Sequence, residues 1–376
     1  MRDRVVMGMH GNPRDVTPND DLEALTNTAF RINGQWVAEF VISVFDRQDE
    51  TKAHAAEAEV MHMLRVGKGM ISWDRIKYFV AVPRENVKVA LRQISGNQVF
   101  EVGPTRSNGI MNPEVVIPSE LNNWRQGDYV VFEVLTPPEY IERHTFTTVF
   151  AEETGWGVIS GIHYSLKNSL MVDIDDTIKI SEVRNRVALL KHTFIDKQGQ
   201  PVAGMPDLYR TLIQRLNFPT FFYLSASPWQ LYLFIREFVD TNYPFGQIIL
   251  RDMSYLELSS FISSLTIGTQ DYKMDRIDKI HRWFPHKEFL CIGDSTQRDP
   301  ETYAAMYVAY LENLNGRYRK YPGWIKQIWI RVVEGVDPKD EKELNAMERF
   351  EKAFSGVPRY AWRIFKDPRE LVYVPI

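Results

Sequence analysis

Three carboxylates, Asp173, Asp175 and Asp176, stand in "MVDIDDTIKI" between one apolar run and the next. On an extended segment, residues two apart point to the same face, so Asp173 and Asp175 are expected to share one small volume while Asp176 alternates away toward solvent. Two carboxylates held that close repel at neutral pH unless a cation or a shared proton compensates. A bound metal is the economical explanation, and a solvated turn is the competing one.

Other stretches carry matching chemistry. In "TFFYLSASP" an apolar strand is predicted to end near Ser225, with Ser227 capping a helix that Pro228 opens. Exposed N–H groups at such a helix start, with the Ser225 hydroxyl, would hold phosphate oxygens. In "CIGDSTQRDPETY" an apolar strand delivers Asp294, a residue type that suits Mg²⁺, which takes one or two carboxylates and completes its octahedron with water and substrate oxygens. Asp299, before Pro300, either caps the next helix or shares in the same site. The helix "DYKMDRIDKIHRWF" offers Lys273, Arg276 and Lys279 as the balancing cation. Its first residues lie nearest the strand ends, and Lys279 lies about 9 Å further along the axis, so Lys273 is the choice.

The elements that must position these residues follow from the apolar pattern. From Gly157 onward, strand-like "GVIS" or "SLMV", "TFFYLSAS", "GQIILRD", "KEFLCIG" and "KQIWIRVV" alternate with helix-like segments, predicting a doubly wound parallel α/β sheet with ligands at the strand C-termini. Before it, "QWVAEFVISVF", "NVKVALRQIS", "DYVVFEVLT" and "RHTFTTVFAE" are short, rich in Val, Phe, Tyr and Thr, and bounded by turn residues. One helix-like segment, "TKAHAAEAEVMHMLRV", interrupts them. The expected organisation is a loosely ordered lead over residues 1–30, a mainly β, sandwich-like domain over 31–155, and an α/β domain over 156–376.

Composition excludes some partners. The formal charge of −4 gives no overall electrostatic footprint for nucleic acid. Cys291 is alone, so it forms no internal disulfide, and it is expected to be a buried small hydrophobe in a reducing compartment. No apolar stretch reaches the roughly 20 residues of a bilayer span and the N-terminus lacks a signal-peptide core, which predicts a cytoplasmic protein, soluble or peripheral on membranes. The histidines show no zinc-like spacing, and His281 is expected to pack.

In order, "DIDDT", "LSAS", "YK" and "GDSTQRD" resemble the four motifs of the haloacid dehalogenase superfamily of phosphotransferases. The resemblance implies a haloacid dehalogenase-like sheet. It makes Asp173 a nucleophile and Asp175 an acid/base, with Thr177, Ser225 and Lys273 on the phosphate. Mg²⁺ would be held by Asp173, Asp175, Asp294 and Asp299. The wider text, "HTF…PVAGMPDLYRTL", "FFYLSASPWQLY", "FLCIGDSTQRDPETY" and "RFEKAFSGVPRYAWRIFKDPREL", resembles the catalytic domain of the fungal actin patch protein family of Mg²⁺-dependent phosphatidate phosphatases. That family hydrolyses phosphatidate to diacylglycerol and phosphate and associates with cortical actin patches.

Two departures from the family pattern stand out. The family runs from "GVIS" directly into "DIDDT", whereas here "GIHYSLKNSLMV", residues 161–172, stands between them as an insert that a retained intron or splice form would explain. If the insert is real, "SLMV" is expected to replace "GVIS" as the strand aiming Asp173, and a shift of one residue would turn the carboxylates to the wrong face. The chain also lacks the proline-rich tail that recruits SH3 partners in that family, which weakens the expectation of actin patch partners. For a lipid surface, "NGRYRKYPGWIKQIWIR" supplies Arg317, Arg319, Lys320, Lys326 and Arg331 among aromatic residues, or else forms an edge strand with a solvated basic loop. A phosphatase for soluble esters and a catalytically silent lipid-binding or adaptor protein are the alternative readings.

Overall fold

The computed structural model describes residues 12–46, 81–94, 98–117, 124–138, 144–161, 201–252, 269–312, 323–334 and 340–376, with scattered residues between 54 and 96. The alternation from Gly157 onward becomes a six-stranded sheet in which every pairing is parallel. In chain order its elements are β1 (Trp156–Gly161), α1 (Met205–Arg215), β2 (Thr220–Pro228), α2 (Tyr232–Asn242), β3 (Gln247–Arg251), α3 (Thr269–Trp283), β4 (Glu288–Asp294), α4 (Asp299–Glu312), β5 (Ile325–Arg331) and β6 (Trp362–Phe365). The strand order is β3-β2-β1-β4-β5-β6. It reverses direction at β1, so a crevice for ligands is expected outside the carboxyl ends of β1 and its neighbours.

Side-chain alternation splits this sheet between two cores. Val158, Phe221, Tyr223, Ile248, Leu250, Leu290 and Ile292 pack with α1 and α2 on one face. Ile159, Phe222, Leu224, Ile249, Phe289 and Cys291 pack with α3 and α4 on the other. Strands covered on both faces are expected to be mostly apolar, and these are, with polar residues gathered toward their ends, as Gln247 and Arg251 flank Ile248–Leu250 in β3. Gly157 is required by the packing, because a Cβ there would lie 2.3 Å from the Phe289 ring.

The residues before β1 form a curled eight-stranded sheet and a three-stranded one. Both feed one core that includes Leu22, Trp36, Phe40, Val44, Met111, Phe132 and Phe150. The mainly β reading therefore holds, but the loose lead needs correction: Asp20–Ala24 and Asn27–Ile32 are strands. The turn residues upstream hid a short alternation in which Leu22 and Ala24 are buried. Asp20, also buried, is held by the Arg14 guanidinium at 2.6 and 2.8 Å and by Thr17 at 2.8 Å. Most of the helix-like segment from Thr51 lies outside the described residues.

The two regions share buried contacts. Tyr232 at the start of α2 accepts the Thr26 N–H at 2.8 Å, and Gln247 in β3 accepts the Thr28 N–H at 3.0 Å. Trp229 packs with Phe45, Ala81 and Ile110. Replacing Tyr232→Phe leaves the buried Thr26 amide without this acceptor. The expected cost is about 1–3 kcal/mol, read as a lower urea midpoint at unchanged slope.

Candidate functional site

Register brings two of the expected residues, Ser225 and Asp294, to one edge of the parallel sheet. Ser160 of β1 lies beside Tyr223 of β2 and Ile292 of β4, and Gly161 lies beside Leu224. Ser225 is the next residue on β2 after Leu224, and Asp294 ends β4 two residues beyond Ile292. Position 161 therefore sits between the seats of Ser225 and Asp294. By alternation from Ile159 it belongs to the face that α3 and α4 cover. The strand that holds this central slot is "GVIS" with its flanking residues; "SLMV" lies outside the described residues. Asp173, Asp175, Asp176 and Thr177 lie outside the described residues.

The other half of the site is a buried charge network. Lys273, in the first turns of α3, ion-pairs with Asp299 at the start of α4, and the two side chains are 2% and 0% exposed. The second oxygen of Asp299 accepts the Asp294 N–H at 3.3 Å. Asp294, itself fully buried, takes the Thr296 N–H at 2.7 Å and the Thr296 hydroxyl at 2.5 Å on one carboxylate oxygen. Of the three helix cations weighed from the sequence, Lys273 alone joins this cluster; Lys279 pairs with Glu39, and Arg276 faces Asp252 at 3.7 Å.

The turn after β4 is braced from outside. Arg349 donates to the Ser295 and Gln297 carbonyls and pairs with Glu301 at 2.9 Å. The Ser295 hydroxyl accepts the Val333 N–H at 3.0 Å, and its own N–H donates to the Arg331 carbonyl at 2.9 Å. Arg349 and Thr296 escaped the sequence reading, Arg349 because nothing in its spacing marks it. The "GDST" turn, with a hydroxyl two residues after a strand-end aspartate, is the one signal that could have found Thr296.

Ser225 is buried at the predicted position, but the local structure differs from the prediction. The strand runs on to Pro228, a 3₁₀ turn covers Trp229–Leu231, and α2 starts only at Tyr232, with no side-chain cap. Ser227 is no helix cap. Its N–H donates instead to the Ser225 hydroxyl at 3.1 Å, and the β2–β3 register shifts between Leu224 and Pro228. A local serine turn has taken a ladder amide and bulged the strand at the site.

The basic aromatic stretch is also corrected. β5 is an interior strand between β4 and β6, not an edge. Trp324, Trp329 and Arg331 are buried, and Lys326 pairs with Glu288 at 2.9 Å. Arg317, Arg319 and Lys320 lie outside the described residues. His281 stacks on Tyr310 at 4.0 Å. Burial pushes the Cys291 thiol far up, which makes it inert. Beneath β1, the Tyr209 hydroxyl donates to Ser160 Oγ at 2.6 Å, a contact from α1 that the sequence did not signal.

Gly293 makes the charge network possible. A Cβ there would lie 2.6 Å from a carboxylate oxygen of Asp299 and 2.8 Å from the Tyr303 ring. Gly293→Ala is expected to push Asp299 off the Asp294 amide and to cost about 1–3 kcal/mol, measured by thermal or urea denaturation.

Residues 168–332 match the family model described as phosphatidate phosphatase APP1, catalytic domain. The match begins inside residues 161–172 and leaves out β1. Over 182 residues the chain is 31% identical to the phosphatidate phosphatase APP1 of Saccharomyces cerevisiae. That alignment covers 47% of this chain and 28% of the yeast protein, so the chain spans less than a third of the relative's length. The resemblance carried by the wider text is thus supported by a family and by a relative: this segment is similar to the catalytic domain of the APP1 family of phosphatidate phosphatases.

Proposed function

We propose that this chain is a Mg²⁺-dependent phosphatidate phosphatase with a haloacid dehalogenase-like catalytic domain over residues 156–376, preceded by a mainly β domain. The observation that carries the reading is the convergence of Ser225, Lys273, Asp294 and Asp299 on the carboxyl edge of the parallel sheet, around the end of β1. The match to the APP1 catalytic domain supports the substrate class.

In this reading a carboxylate oxygen of Asp173 attacks phosphorus. The P–O bond to the glycerol oxygen breaks, and Asp175 gives that oxygen its proton, releasing diacylglycerol. Asp175 then takes a proton from water. The water oxygen attacks the aspartyl-phosphate, the P–O bond to Asp173 breaks, and phosphate leaves. Thr177, the Ser225 hydroxyl and the Lys273 ammonium hold the phosphoryl oxygens throughout.

The donors at the site suit a hard divalent cation. Asp294 and Asp299 are buried oxygen donors, and of the neighbouring cations Lys273 is committed to Asp299. With Asp173 added, three carboxylates face one ammonium, which favours a metal. Mg²⁺ held by Asp173, the Asp175 main-chain carbonyl, Asp294 and Asp299 would neutralise the phosphoryl oxygens as charge builds there. Among the described residues, which exclude Asp173 and Asp175, no group of three or more metal-binding side chains stands together.

No helix among the described residues is long and apolar enough to cross a membrane. We infer that the protein is cytoplasmic and works peripherally at a phosphatidate-bearing surface. Cortical actin patch partners are part of the same proposal, by family resemblance.

One observation favours a second reading, a silent or adaptor form. Gly161, not an aspartate, occupies the seat beside Leu224 at the end of β1, and Asp173 follows only after residues 162–172. Joining Ser160 to Asp173 would place the nucleophile at that seat.

The test is phosphate release from phosphatidate in mixed micelles. The expected result is release with Mg²⁺, none with EDTA, and a loss of about three orders of magnitude in Asp173→Asn. Dependence on surface rather than bulk concentration separates a lipid from a soluble ester. Release by a chain lacking 161–172, but not by the full chain, would select the second reading. Silence from both would remove the phosphatase proposal.

A further inference from the structure

Helix α3 carries a second working stripe beside the one that faces the sheet. Tyr272, Arg276, Lys279 and Trp283 recur at helical spacing, and the last two are seated on the N-terminal β structure. Lys279 donates to Glu39, which also accepts the Asn112 amide at 3.0 Å. Trp283 Nε1 donates to Glu114 at 2.9 Å, and its ring stacks on Phe30 with centroids 5.1 Å apart. The Lys279 ammonium lies 5.3 Å from the same ring. Nearer the site, Tyr272 has the Arg251 and Arg276 guanidiniums each 5.2 Å from its ring centroid.

Glu39 and Glu114 are register partners on neighbouring strands. Like charges directly opposite each other destabilise a sheet, so this pair has no reason to exist within the sheet alone. Glu39 is also buried, and that burial holds its carboxyl above the usual range while Lys279 pulls it down. Both glutamates are accounted for once α3 lies across them.

We propose that Glu39 and Glu114 form a positioning device for Lys273. They fix the rotation and axial place of α3 so that the ammonium two turns away stays on Asp299, beside Asp294. The N-terminal sheet is then a working part of the phosphatase and not a separable module. The role of Lys273 on phosphate rests on the reading above; the docking of α3 does not. A helix moves as a rigid rod over two turns, and a misplacement of about 1 Å in a binding group can cost up to a hundredfold in rate.

Glu39→Gln alone leaves a half-buried ammonium unpaired and destabilises the protein, so the decisive variant is Glu39→Gln with Lys279→Met, which removes both charges at similar volume. The full chain carrying this pair is expected to keep its thermal midpoint. Its kcat on phosphatidate is expected to fall about tenfold with KM within about twofold, and amide hydrogen exchange across residues 269–283 should speed up. Lys279→Arg alone, which keeps the ion pair with Glu39, should retain most of kcat. Lys366→Gln, on an exposed pair with Glu334, should change nothing. Wild-type kcat and wild-type exchange in the double variant would overturn the proposal, as would a kcat that merely tracks the thermal midpoint across the series. If the wild-type chain releases no phosphate, the phosphatase reading fails separately, and exchange in residues 269–283 still decides whether the glutamates hold the helix.

Discussion

A lysine and an aspartate with almost no exposure form the interaction on which the rest of the site depends. Burying either charge alone costs several kcal/mol, so Lys273 and Asp299 are tolerable only together and only with further hydrogen bonds. Asp299 obtains one from the Asp294 amide. The pair therefore ties α3 and α4 to the end of β4, and it demands the missing Cβ at Gly293. Asp294 is presented at the crevice because three other features are already in place: this pair, the Thr296 clamp, and the Arg349 brace on the following turn.

The parallel sheet supplies the second constraint. Its strands are buried on both faces, so their register cannot slip by one residue without moving every side chain into the wrong core. That rigidity makes position 161 meaningful: the seat between Ser225 and Asp294 is set by the pairing of Ser160 and Gly161, whatever residue occupies it. The bulge at Ser225–Ser227 is a local departure at the same edge, made by one hydroxyl that competes for a ladder amide.

Much of this was legible in the sequence. Apolar runs bounded by turn residues marked β1 to β5 and the helices between them, because a strand buried on both faces has little choice of composition. Residues with oxygen or ammonium groups at strand ends and helix starts singled out Ser225, Asp294, Asp299 and Lys273 as candidates. What stayed hidden was relational. "SASP" reads as a helix cap, but the Ser225 hydroxyl reached the Ser227 amide first and the strand continued. The residues after Asp20 read as a loose lead because their alternation covers only a few positions. β5 reads as part of a lipid-facing basic stretch or as an edge strand with a solvated basic loop, yet it gains β6 from a segment far along the chain, and Trp329 and Arg331 are buried. Glu39 and Glu114 look like ordinary strand-surface acids until α3 is laid across them.

The position of β1 has a consequence for how the chain comes together during synthesis. β1 is made before any of its partners, gains β2 first, and receives β4 only after α1, β2, α2, β3 and α3 have all followed. Until Glu288–Asp294 leaves the ribosome, one side of the central strand is an open edge of apolar residues. Such edges invite pairing with other chains. The curled sheet made just before it, whose core is built from residues ahead of β1, can be complete by then and can shield the emerging strand while it waits.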